Sequence, residues 1–335
     1  MGETALSYDD ITLIPQFSTI RSRKDPDVCS NIGFFGSRMP IISANMDTVT
    51  GHEMAIALWH AGAIGALHRF HLPDFTQATA YQLVRRAGAD AFVSLGVHDI
   101  LDEATLLWDA GARNFIIDIA HGHSILMKDA IQTLRSAFPD AYIVAGNIAT
   151  SEAVVDLREW GADCVKAGVS CGSICKTRIV TGHGLPMWTT ITQCALAADS
   201  LGIPLIADGG IKSAGDIVKA FAAGASAVML GSLFAGCFEA PGEHSFGQKQ
   251  YRGMASTSAQ EDRVNHTAGT AEGVTTMIPR TGPASEILGE LIGGLRSGMS
   301  YCNARSIDEI FRNAKWIKQS HASYIEGTPH IMRGR

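Results

Sequence analysis

The chain has 335 residues, a formal net charge of −6, 46% apolar and 18% charged residues, a balance that fits an ordinary core-forming protein and excludes disorder. An acidic chain without a basic cluster is not built to bind a nucleic acid backbone, and no apolar run approaches the length of a membrane span. Length alone allows one large domain or two smaller ones. Seven cysteines, an odd number scattered from Cys29 to Cys302, do not form a disulfide framework. The start, Met1-Gly-Glu-Thr-Ala5, lacks a charged-then-apolar leader, and Leu6 is not the Ser/Thr that myristoylation expects. The expectation is a cytoplasmic protein with reduced thiols and no membrane or nucleic acid partner.

In chain order, short apolar runs recur at Pro40–Ser43, Ala63–Leu67, Ala91–Leu95, Phe115–Asp118, Ala141–Ala145, Asp163–Lys166, Pro204–Ala207 and Ala227–Leu230. Such runs fit parallel strands buried on both faces. Amphipathic stretches lie between them, among them Pro73–Ala87, Ser124–Phe138, Ser151–Trp160 and Ser213–Ala223. Several end in a glycine before the next strand (Gly62, Gly88, Gly111, Gly161, Gly224), as helix C-termini do. Eight units in series predict an α/β chain folded as a single (β/α)8 barrel over 1–335. A doubly wound sheet is the alternative, disfavoured because no Gly-x-Gly-x-x-Gly follows the first strand. Beyond strand eight, a stretch at about 239–283 is too long for a simple connection. Its polar middle, Ala255–Gly273, predicts a mobile flap over the site. Helical signal returns at Ala284–Arg296 and Ile307–Ser320, and residues from about Gly327 read as a frayed tail.

In such barrels chemistry sits on the loops after the strands. The richest is Gly168-Val-Ser-Cys-Gly-Ser-Ile-Cys-Lys-Thr-Arg178. A cysteine there, beside Lys176 and Arg178, reads as a thiolate nucleophile at Cys175 or as a small packed residue. Asp208-Gly-Gly210 and Gly231-Ser232 end strands seven and eight, where backbone N–H groups and a helix N-terminus would bind a phosphate unless the glycines serve only turns. His121-Gly-His123 lacks the third ligand and spacing of a metal pair, so polar loop histidines orienting neighbours are favoured. Cys171 and Cys175 are spaced for neither a zinc knuckle nor a redox pair. Glu272 is an acid/base candidate or a solvated loop charge.

The motifs Tyr8-Asp-Asp-Ile-Thr-Leu-Ile-Pro15, Asn45-Met-Asp-Thr-Val49, Asp118-Ile-Ala-His-Gly-His-Ser124, Ala145-Gly-Asn147, Gly172-Ser-Ile-Cys-Lys-Thr-Arg178, Asp208-Gly-Gly210 and Tyr251-Arg-Gly-Met254 run in order from about residue 6 to about 320. Together they resemble the IMP dehydrogenase/GMP reductase family. The resemblance implies the same barrel, attack by Cys175 on C2 of a purine nucleotide, proton relay through Thr177 and Glu272, and a homotetramer. It implies substrate contacts from Met46, Ser173, Asp208, Gly209, Gly210, Gly231, Ser232, Tyr251, Gly253 and Met254. Cofactor contacts fall on Asn45, Arg69, Asp118 and Asn147, with Arg69 suited to a 2′-phosphate. Carbonyls of Gly168 and Cys175 would hold a monovalent cation such as K+.

Within the family, three features point to the reductase branch, which converts GMP to IMP and ammonia with NADPH. Leu67 to Leu95 runs through without the regulatory CBS insertion, Asn45 precedes Met46, and the flap has Arg263-Val264 where dehydrogenases carry Arg-Tyr. A CBS-less IMP dehydrogenase oxidising IMP to XMP with NAD is the alternative. A reductase of a related purine nucleotide and a non-catalytic nucleotide sensor also stay open. Two departures stand out. Ser170 and Cys171 replace residues of the family's Gly-x-Gly-Pro-Gly-Ser, placing loop geometry and the cation site in question. Gly269 stands where some reductases place a basic residue.

Overall fold

The computed structural model describes residues 4–70, 75–262 and 270–329. Eight parallel strands close on themselves: β1 (Ile41–Ser43), β2 (Ile64–Leu67), β3 (Ala91–Leu95), β4 (Asn114–Asp118), β5 (Tyr142–Ile148), β6 (Cys164–Ala167), β7 (Leu205–Asp208) and β8 (Ala227–Leu230). Sequential neighbours pair throughout, and β8 pairs back onto β1 through Val228–Ile41, Met229–Ile42 and Leu230–Ser43. All residues of β1, β2, β3, β6 and β8 are buried. Inner faces fill the barrel and outer faces meet the helices, which is why the runs show no polar alternation. The expected (β/α)8 barrel is therefore the observed fold.

The surrounding helices are α1 (His52–His60), α2 (Gln77–Arg86), α3 (Ile100–Asp109), α4 (Ile125–Ala137), α5 (Ser151–Trp160), α6 (Met187–Leu201), α7 (Ala214–Ala222) and α8 (Ala284–Tyr301). Thr76, Ser124, Thr150 and Ser213 cap α2, α4, α5 and α7 by accepting a backbone N–H three residues on, each worth about 1 kcal/mol. The glycines before strands, Gly62, Gly88, Gly111, Gly161 and Gly224, have φ between +71° and +115°, the left-handed turn that ends a helix without a Cβ penalty. No helix among the described residues is long and apolar enough to cross a membrane.

The structure corrects two expectations about elements outside the barrel. The helical reading of Ile307–Ser320 holds for Ile307–Asn313 and gives way to a strand at Lys315–Lys318, with a short helix His321–Glu326 beyond it. The strand pairs antiparallel with Ile11–Ile14, and Trp316 packs edge-on against Trp188 at 5.1 Å, so tertiary pairing overrides local periodicity. The flap at about 239–283, for which no regular element was expected, contains an antiparallel sheet of His244–Ser245, Gln248–Arg252 and Thr275–Pro279, and a short helix Thr257–Glu261. Lys249 and Tyr251 are buried at alternate positions, a period-two signal hidden in a polar sequence. Residues 263–269 and 330–335, with Arg263, Val264, Gly269 and most of the expected tail, lie outside the described residues.

Candidate active site

At the C-terminal end of the strands, β6 delivers the chain into the loop 168–176. Gly168 has φ +147°, and a Cβ there would sit 1.8 Å from the Asp208 carbonyl, so only glycine lets this loop leave the barrel alongside β7. Ser170 also adopts a left-handed conformation, φ +67°. It keeps the geometry a glycine would supply because its Oγ accepts the Arg178 N–H at 2.6 Å, tying the loop to the short helix Thr177–Thr181. Replacing Ser170 by Ala retains the strain and removes this bond, at an expected cost of about 1 kcal/mol. Ser170→Gly removes both and is expected to shift the thermal midpoint less than Ser170→Ala; the reverse order would refute this account of the loop.

Cys175 is the one exposed cysteine of the seven. Its Sγ donates to Thr177 Oγ1 at 3.2 Å, and Thr177 Oγ1 donates to Glu272 Oε2 at 2.7 Å. The backbone fixes this chain: Cys175 bridges Gly273 antiparallel, the Lys176 N–H donates to the Glu272 carbonyl at 2.6 Å, and the Val274 N–H donates to the Ile174 carbonyl. The returning flap segment thus brings Glu272, distant in sequence, against the cysteine loop. The result is an oriented path from thiol to hydroxyl to carboxylate, along which a proton can be relayed to Glu272 beside the nucleophile. Cys171 is the poorer nucleophile. Burial, partly offset by Arg178, pushes its thiol up to about 11, and its Sγ donates to the Leu185 carbonyl at 3.0 Å.

Beside the cysteine loop lies a cavity of about 540 Å³, the size of a nucleotide-class ligand site. Met46, Ser173, Asp208, Gly209, Gly210, Gly231, Ser232 and Tyr251 line it. Ser173 Oγ lies 3.4 Å from Tyr251 Oη, which in turn sits where a Cβ on Gly231 would approach to 3.0 Å. Hydroxyls and glycines from the loops after β6, β7 and β8 line it together. Gly253 and Met254 lie at the flap base: the Gly253 N–H donates to the Val274 carbonyl, and Met254 Sδ accepts the Asp47 N–H at 3.4 Å. Arg252 fixes this base by pairing with Asp47 Oδ2 at 2.7 Å and with Asp262.

Asn45, Asp118 and Asn147 gather around Lys166, a residue sequence reasoning passed over. Asn45 Nδ2 donates to Asp118 Oδ2 at 3.0 Å, and Asn147 Nδ2 donates to the Gly168 carbonyl at 2.7 Å and to Asp208 Oδ2 at 3.0 Å. Burial opposes ionisation of Asp118, but Lys166 and Asn45 outweigh it and its pKa is lowered. The available signal was a lysine between Val165 and Ala167 in a strand otherwise without charge. Arg69 lies apart. It borders a second cavity of about 470 Å³ with Val97, Ile119, His121 and Leu126, and its guanidinium is 4.2 Å from the Phe70 ring centroid. His123 is committed to Asp156 at 2.7 Å, and no cluster of metal-ligating side chains occurs among the described residues.

Fold and site together place the chain among the (β/α)8-barrel enzymes. Residues 5–330 match the model of the IMP dehydrogenase / GMP reductase domain. Inosine-5'-monophosphate dehydrogenase of Nitrosopumilus maritimus is 31% identical over 466 aligned positions, covering 97% of this chain and 98% of that protein. The enzyme of the same name from Borreliella burgdorferi is 34% identical over 395 positions, covering 97% and 96%. That from Halalkalibacterium halodurans is 47% identical over 235 residues, 67% of this chain but 48% of the relative, so this match spans about half of that protein. The chain belongs to the IMP dehydrogenase/GMP reductase family of oxidoreductases.

Proposed function

We propose that the protein oxidises a purine nucleoside monophosphate at C2, IMP to XMP with NAD, through a covalent bond from Cys175. The Cys175–Thr177–Glu272 chain beside a nucleotide-sized cavity carries the chemistry. The relatives named above, all IMP dehydrogenases, support this direction better than the reductase reading of the sequence. In this reading the cavity's hydroxyls and glycine N–H groups hold the phosphate, Asp208 accepts ribose hydroxyls, and Met46, Gly253 and Met254 border the base.

Cys175 Sγ adds to C2 as the thiol proton passes to N3 of the purine, and C2 then loses hydride and becomes a thioimidate. Water adds to that carbon while Thr177, relaying to Glu272, accepts one of its protons; the C–S bond then breaks, the departing sulfur takes the remaining hydroxyl proton, and XMP is released with the thiol restored. When bound, the nicotinamide cofactor supplies the hydride acceptor. Asn45, Asp118 and Asn147 would hold its reactive end and Arg69 its far end, and the apolar wall of Val97, Ile119 and Leu126 suits a flat ring. Burial lowers the Arg69 pKa against the opposing charges of Asp118 and Glu103, and NAD is proposed with the dehydrogenase reading. The Gly168 carbonyl already accepts the Asn147 amide, and no step here depends on K+. A homotetramer remains part of the proposal through the family resemblance.

GMP reduction with NADPH is the second reading, favoured by the absence of any tyrosine between Tyr251 and Tyr301, where dehydrogenases of the family place their Arg-Tyr pair. Absorbance at the reduced-nicotinamide band separates the two. Growth with IMP plus NAD is expected; loss with GMP plus NADPH and release of ammonia would reverse the assignment.

A further inference from the structure

Lys166 is 1% exposed and does not line the nucleotide cavity. Its ammonium donates to Asp118 Oδ1 at 2.9 Å, to Asp208 Oδ2 at 2.6 Å and to Asn147 Oδ1. An ammonium has three N–H groups, and here each meets an acceptor from a different strand end: β4, β5 and β7. The network continues outward. Asn45 from the β1 loop donates to the free oxygen of Asp118, and Asn147 donates to the same Asp208 oxygen that Lys166 holds. One cation therefore stands between two carboxylates, leaving the cluster one negative charge in excess. Asp208 lines the nucleotide cavity; Asp118 does not, and it precedes Ile119 of the second cavity in the chain.

We propose that Lys166 is a positioning residue that fixes the nucleotide-binding and cofactor-binding acids to one another, so that a single buried side chain sets affinity for both ligands without touching either. This rests on the proposed function, in which Asp208 takes the nucleotide ribose and Asp118 the nicotinamide end. Without the ammonium, two carboxylates face each other across the barrel end. Each then turns toward solvent or takes up a proton, and neither presents its oxygens to a ligand hydroxyl in the geometry seen here.

The test is the set Lys166→Met, Lys166→Arg and the double variant Lys166→Met/Asp118→Asn. Removing a buried partner can unfold a protein; the double variant keeps the cluster's net charge at that of the wild type and so protects the fold. Lys166→Met is expected to raise KM for nucleotide and for cofactor by about 10-fold or more each. Lys166→Arg is expected to recover part of both. The dissociation constant of IMP alone, measured by calorimetry on folded protein, is expected to rise in Lys166→Met and in the double variant alike. Wild-type IMP affinity in either variant, with only thermal stability or kcat changed, would overturn the inference. A wild-type protein that binds neither IMP nor GMP would overturn the proposed function, and this inference with it.

Discussion

Cys175→Ala is expected to reduce turnover by about 10⁴-fold or more while leaving nucleotide binding nearly intact. Removing a covalent nucleophile abolishes the step that the rest of the site serves, and such losses commonly reach several orders of magnitude. The thiol contributes little to the fold, because Cys175 is exposed and its one side-chain bond is to Thr177. The loop itself is held by backbone bonds from Lys176 to Glu272 and from Val274 to Ile174, which alanine leaves unchanged. Steady-state rate and calorimetric nucleotide binding, measured together, test this. Turnover near the wild-type level would remove Cys175 from the chemistry. Loss of both binding and fold would make it a structural residue.

Glu272→Gln is expected to separate the two halves of the reaction. The amide still reaches Thr177 Oγ1, which the carboxylate now meets at 2.7 Å, so geometry is retained and only the proton acceptor is lost. General acid–base groups contribute roughly 10²–10⁴ in rate. The first half, attack by Cys175 and hydride loss, is expected to proceed as a burst close to one equivalent per site. Hydrolysis of the covalent intermediate is expected to slow by about 10²-fold. Stopped-flow absorbance of the reduced nicotinamide distinguishes the phases. Equal slowing of burst and steady state would show that Glu272 does not act on the second half.

Much of the barrel was legible because burial on both faces leaves strands such as Ala91–Leu95 as unbroken apolar runs, and because Gly161 and Gly224 mark helix ends that only a positive φ can make. Ser124 and Ser213 announced α4 and α7 by being the residues that cap them. Lys315–Lys318 was illegible: all four residues are exposed, and the strand exists through its pairing with Ile11–Ile14, far away in sequence. The flap sheet failed for a related reason, since Gln248–Arg252 buries a lysine rather than an apolar residue at its first inward position. Within the site, the strand-end loops could be read because chemistry collects there in this fold. Lys166 could not, because its meaning lies in three acceptors from three other strands. The Ser170 departure could be seen in the sequence, but not that its own hydroxyl secures the conformation by accepting the Arg178 N–H.

The central claim is a covalent bond between Cys175 and the purine, and acid quenching during turnover tests it most directly. Wild-type protein mixed with IMP and NAD, quenched and digested, is expected to show the nucleotide mass on the peptide containing Cys175, with Glu272→Gln protein showing more of it. Turnover with no adduct, or with the adduct on Cys171, would contradict the account.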